Sequence, residues 1–252
     1  MIHREDRDTT AVLRLEHGKA SALDIELLEK MIEVLDELPE SGVRSVVITG
    51  SGSIFSAGVD LFRVLDGGRA YLERFVPLLC DALEKLFTLP LPVVAATNGH
   101  AIAGGCIIVC ACDYRMMAEG DGRIGVPELY VGVPFPSVAL EIVRFAVGGA
   151  HFHNIVLGGK TFSAKEALRL GLVDELAPAE SLLEQACAHA NRLASIPREV
   201  FSLAKWQNKA DAVQTIRRRS AEDDAAVTDL WLAPETAARI ADYMKRTVGK
   251  RS

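Results

Sequence analysis

Short β-branched runs alternate along this chain with longer stretches whose apolar residues recur at helical spacing. Residues 11–15, Val43-Arg-Ser-Val-Val-Ile-Thr-Gly50 and Val93-Val94-Ala95-Ala96 are compact apolar runs marked off by glycine or proline, the signature of buried strands. Between the first two lie Leu27, Leu28, Met31, Leu35 and Leu38; between the second and third lie Leu72, Phe75, Val76, Leu79, Leu83 and Leu86. Both sets fall on one face of a helix. Strand and helix in strict alternation predict an α/β fold built on parallel strands, because a parallel pair needs a long crossover that a helix supplies.

The later chain changes character. Ser163-Ala-Lys-Glu166 forms a capping box with Gly171 as its stop, predicting a short helix over 163–170 followed by a strand over Leu172–Leu176. From about residue 180 Ala, Glu, Arg and Leu dominate with no β-rich run, so the C-terminal part reads as helical, broken near Pro197 and Pro234. The expected division is a core over residues 1–190 and a helical segment over 191–252.

With 252 residues, 49% of them hydrophobic, the chain can bury a sizeable interior. Its net charge of −6 and lack of a basic tract argue against a nucleic-acid partner. The charged Met1-Ile2-His3-Arg4-Glu5-Asp6 start lacks a signal-peptide core, and the longest apolar run, 101–112, is too short to span a bilayer. The expectation is a soluble cytoplasmic protein with no membrane association. Five cysteines, at 80, 106, 110, 112 and 187, sit in apolar context without a second CxxC, which reads as reduced core residues rather than a disulfide framework or a metal site.

Two loops carry the chemical signal. Phe55-Ser56-Ala57-Gly58-Val59-Asp60 follows a strand and offers a turn where backbone can approach a ligand; alone it is an ordinary Gly/Ser turn. Asn98-Gly99-His100-Ala101-Ile102-Ala103-Gly104-Gly105-Cys106-Ile107 leads from a strand into an apolar helix, and glycines opening a helix leave N–H groups facing outward at its positive end. Together they suggest a site for a developing oxyanion. Beyond them one acid, Glu128, follows Pro127; it is either a surface cap or a base in the same cleft. His100 reads as a loop histidine satisfied by backbone, and His151 and His153, two apart on a helix, diverge and form no metal pair. Asp113 reads as fixing a strand start.

These paired loops, with Cys112-Asp113-Tyr114-Arg115 and Pro127-Glu128, resemble the crotonase, or enoyl-CoA hydratase/isomerase, superfamily from about Ala20 to the helix ending at Gly171. The resemblance implies a spiral of ββα turns, a C-terminal helical segment that forms homotrimers or dimers of trimers, and coenzyme A bound as part of an acyl thioester substrate, with no separate metal or redox cofactor. Carried over by motif, Ala57 and Gly104 would donate their N–H groups to the thioester oxygen and Glu128 would move the proton. Gly58, Val59, Asp60 and Gly105 would line the substrate, with Lys19 and Ala20 near the coenzyme.

The chain departs from the hydratase pattern at one position. Typical hydratases of the superfamily carry two glutamates; the first position is Ile107 here, a hydrocarbon that cannot hold a water. A single acid fits the mitochondrial type of Δ3,Δ2-enoyl-CoA isomerase, which the chain also resembles in Gly132-Val133-Pro134-Phe135-Pro136; Ile107 and Phe135 would then be dry walls of the acyl pocket. The alternatives are an enoyl-CoA hydratase, with Glu141 on the 138–145 helix as the candidate second acid, and a non-catalytic CoA-binding scaffold.

Overall fold

The computed structural model describes residues 1–247; residues 248–252 of the C-terminal segment lie outside the described part. Among the described residues, ten strands form two sheets. The larger has the order β1 (Ile2–Arg7), β2 (Thr10–Leu15), β3 (Ser45–Thr49), β5 (Val93–Thr97), β7 (Tyr114–Ala118) and β10 (Glu175–Ala177); the smaller runs β4 (Ile54–Ser56), β6 (His100–Ile102), β8 (Arg123–Gly125) and β9 (Thr161–Ser163). Each winding sends one strand into the large sheet, the next into the small sheet, and then a helix back: β3, β4 and α2 (Leu61–Thr88), then β5, β6 and α3 (Gly104–Ala111). This is the ββα spiral that the resemblance implied. The remaining helices are α1 (Ile25–Glu37), α4 (Glu128–Val131), α5 (Ser137–Val156), α6 (Ala164–Arg169), α7 (Leu182–Ala194), α8 (Arg198–Trp231) and α9 (Pro234–Thr247).

The unbroken apolar runs have a direct cause. Side chains alternate across a strand, and both faces of the large sheet are covered. Leu13, Ile48, Ala95 and Met117 face the main core with α1, α2 and α3, while Val12, Val47, Val94 and Met116 face Leu182, Ala186 and Ala190 of α7. Strands β2, β3, β5, β7 and β10 pair in parallel, as expected; β1 pairs antiparallel with β2 because only Asp8 and Thr9 connect them, with Asp8 at φ 54°. The predicted strand over 172–176 is displaced. Leu172 and Val173 pack into the core, and pairing starts only at Glu175.

Helix starts follow their caps. Asp24 accepts from the Leu27 N–H at 2.9 Å to open α1 and also meets His17 Nε2 at 2.6 Å. Asp60 accepts from the Phe62 and Arg63 N–H groups to open α2, which breaks at Gly68, at φ 53°.

Asp113 does fix a strand start, accepting from the Val93 N–H at 2.9 Å. It also anchors the C-terminal segment. Lys205 and Lys209 of α8 reach its two carboxylate oxygens at 2.6 and 2.8 Å, and add bonds to the carbonyls of Leu91 and Phe87. Both ammonium groups are buried. Burial pushes the Asp113 carboxyl up, but the two lysines outweigh it and hold the group below the usual carboxylate range. Removing the shared anion would strand two buried cations. Asp113→Ala is therefore expected to cost about 3 to 5 kcal/mol of stability in urea unfolding, and Lys209→Met in the same background should restore part of the loss.

Candidate active site

Both loops converge at the top of the small sheet. The chain leaves β4 at Ser56, turns at Gly58 (φ 82°), and enters α2; a Cβ at Gly58 would lie 2.6 Å from the Ala103 side chain and 3.1 Å from the Gly104 nitrogen. Gly105 passes as closely against Ser56, where a Cβ would come within 2.4 Å of the Ser56 carbonyl oxygen. Only glycine permits both approaches. Ala103 closes the junction at φ 55°, a left-handed conformation that an L side chain adopts at a cost of about 1 to 3 kcal/mol.

The free amide on the first loop belongs to a different residue than expected. The Ala57 N–H donates to the Ala20 carbonyl at 3.0 Å, so it is already occupied, which corrects the assignment of Ala57 as a donor to substrate. Val59 forms a parallel bridge with Leu23: the Leu23 N–H donates to the Gly58 carbonyl at 2.7 Å and the Asp60 N–H to the Leu23 carbonyl at 2.9 Å. Bonds from the flanking residues leave the Val59 amide directed away from Leu23. On the second loop Gly104 is the first residue of α3, where an N–H has no partner within the helix; the first helical bond runs from Ile107 to the Ala103 carbonyl at 3.1 Å.

Beside these amides is a cavity of about 80 Å³ lined by Ala57, Val59, Leu61, Ile102, Ala103, Pro127, Glu128, Val131, Val133, Trp231 and Tyr243. Glu128 is buried, and its Oε2 has no hydrogen-bond partner. It opens the single-turn helix α4, which Gly132 ends at φ 86°; the Val133 N–H then donates to the Glu128 carbonyl at 3.0 Å and folds the chain back over the cavity. Burial pushes the Glu128 carboxyl up to about 8. Of the lining residues, Glu128 and Tyr243 are the ionisable ones.

The other expected residues are distributed around the cavity rather than in it. Gly58 and Gly105 shape the loops, and Asp60 caps α2. Lys19 is exposed and Ala20 half-buried on the segment that receives the Ala57 amide. Ile107 and Phe135 are buried in the main core and are not among the residues lining this cavity. Glu141 is buried but faces Arg144, whose Nε donates to it at 3.2 Å, and it is not among the lining residues; it does not supply a second acid there. His100 Nδ1 accepts from the Arg123 N–H at 3.1 Å. Cys106, Cys110 and Cys112 are buried on and beside α3. A larger cleft of about 570 Å³ between α5 and α8 holds Arg115, Lys205 and Lys209, but these cations are paired with Asp174 and Asp113.

Leu61, Val131, Trp231 and Tyr243 carry no signal in the sequence that points to the cavity. Trp231 is legible only as an indole in Leu230-Trp231-Leu232 at the end of a polar helix, just before Pro234.

The spiral and its cavity define a crotonase-type enzyme. The sequence profile described as Enoyl-CoA hydratase/isomerase matches residues 5–231, and the chain belongs to that family. It is 36% identical over 198 residues to a putative enoyl-CoA hydratase of Thermus thermophilus, covering 77% of this chain and 78% of that one. It is 28% identical over 226 residues to the mouse mitochondrial enoyl-CoA delta isomerase 1, covering 88% and 78%. The fold superposes on human mitochondrial Δ3,Δ2-enoyl-CoA isomerase with a TM-score of 0.93 at 24% identity, over 100% of this chain and 99% of that one. No helix of the described residues is long and apolar enough to cross a membrane.

The buried carboxyl makes a stability prediction. A group whose proton affinity is raised on folding favours the folded state at low pH, and that contribution is lost as pH rises from its unfolded value of 4.5 through about 8. Glu128→Gln should therefore match wild type near pH 4.5 and exceed it in stability above pH 8. At about 1.4 kcal/mol per tenfold change in proton affinity, the gain at alkaline pH should reach a few kcal/mol in urea unfolding.

Proposed function

We propose that this enzyme moves a double bond in an enoyl-CoA thioester from C3 to C2, with Glu128 as the sole proton carrier. The carboxylate removes a proton from C2, the electrons pass into the thioester carbonyl, and the resulting dienolate takes the same proton back at C4. The Val59 and Gly104 amides hold the oxygen; each such donor is typically worth about 2.7 to 4 kcal/mol of barrier. The observation that carries this reading is the unpartnered, buried Oε2 of Glu128 in a cavity with no other carboxylate among its lining residues. Isomerisation needs one shuttling acid and gains from a dry wall, whereas hydration needs water held and activated. The coenzyme would run past Lys19 and Ala20.

Hydration is the second reading, favoured by the name carried by the Thermus relative. It would consume the conjugated thioester instead of forming it, so absorbance of the conjugated product separates the two. We also infer that the chain assembles as a trimer or dimer of trimers, with Val200, Leu203 and Trp206 exposed on α8 as interface residues; a monomer by light scattering would refute this.

Glu128→Gln should retain thioester binding and lose at least about a thousandfold in kcat, within the range for a positioned acid–base group. A wild-type carboxylate with affinity near 8 must be deprotonated to act, so kcat/KM should rise with pH and level off above about 8. Retained turnover in the glutamine variant would sink the assignment.

A further inference from the structure

The cavity that holds Glu128 is small, and its bulkiest wall comes from the C-terminal segment. It measures about 80 Å³. With the thioester oxygen at the Val59 and Gly104 amides and the reacting carbons at Glu128, the acyl chain beyond them meets the side-chain walls of this cavity. Its side-chain walls include Leu61, Val131, Val133, Trp231 and Tyr243.

Trp231 is the least able of these to yield. It is 4% exposed, and its indole N–H donates to the Pro134 carbonyl at 3.2 Å. The segment containing Pro134 is itself tied to α8, because Asp224 accepts from the Ser137 N–H at 3.0 Å and from its hydroxyl at 2.8 Å. Swinging the ring aside would leave a buried indole N–H unpaired, which costs about 1 to 3 kcal/mol. Loop and helix thus hold the ring from both sides.

We propose that Trp231 is the specificity-determining residue that closes the acyl pocket and sets the length of acyl chain the enzyme accepts. This rests on the reading that the acyl chain enters the Glu128 cavity. A pocket wall discriminates by length, a methylene that fits or fails to fit being worth about 10- to 200-fold in kcat/KM. Removing the indole should open room for longer chains.

The test compares wild type, Trp231→Ala and Trp231→Phe on 3-butenoyl-, 3-hexenoyl-, 3-octenoyl- and 3-decenoyl-CoA, together with calorimetric binding of unreactive butanoyl- and decanoyl-CoA. Wild type should favour hexenoyl over decenoyl by about tenfold or more in kcat/KM, and Trp231→Ala should reverse that ratio through KM, with Trp231→Phe between. The proposal is overturned if wild type accepts decenoyl as readily as hexenoyl, or if the variants lose activity by one factor at every length, as a merely structural residue would. Should wild type turn over no 3-enoyl thioester, the isomerase reading fails alone. Tighter binding of butanoyl- than decanoyl-CoA then supports the length limit and equal binding refutes it. Where the alanine variant does not fold, the phenylalanine variant and the wild-type length profile decide.

Discussion

The site depends on two backbone segments brought closer than side chains would allow. Gly58 touches the start of α3 and Gly105 touches Ser56, so β4 and β6, adjacent in the small sheet, deliver their exits into one point. The spiral makes this possible: each winding ends a strand at the same edge and begins a helix there, so that a loop from one winding always lies beside the loop of the next. Hydrogen bonding then sorts the amides. Ala20 takes that of Ala57, Leu23 takes that of Asp60, and Val59 between them is turned outward.

Against this rigid frame the chain tolerates two local costs. Ala103 holds a left-handed backbone where glycine would be easier, and Glu128 sits in an apolar enclosure with one oxygen unsatisfied. Neither improves folding, and both fall at the same cavity. Local conflicts of this kind concentrate where function constrains the sequence. A carboxyl whose proton affinity is raised by burial, against a backbone hydrogen bond that lowers it, is free to gain and lose a proton as the charge on a neighbouring substrate changes.

The amino-acid pattern made much of this legible. Consecutive apolar residues at 46–48 and 93–96 announced strands covered on both faces, and the leucine spacing of α1 and α2 announced their buried sides, because periodicity is a direct image of burial. The strand near 175 was misplaced by a few residues since Leu172 and Val173 look the same whether they pair or merely pack. Glu128 stood out as an acid after a proline. The choice between Ala57 and Val59 was beyond a motif, because it turns on which carbonyl each amide meets across the fold. Ile107 and Phe135 have the chemical character of a dry wall, but apolar character alone does not separate a residue that lines a site from one packed behind it. Trp231 lies about a hundred residues beyond Glu128, and no local pattern connects them.

Helix α8 spans 34 residues, a rod of about 50 Å at 1.5 Å per residue. Near its beginning two lysines grip Asp113, and its last residue is Trp231. The lever arm from Lys209 to the indole is roughly 30 Å, so a tilt of about two degrees at the grip displaces the ring by roughly 1 Å. Ties at the far end spare the ring such swings, since Asp224 holds Ser137 and the indole holds the Pro134 carbonyl.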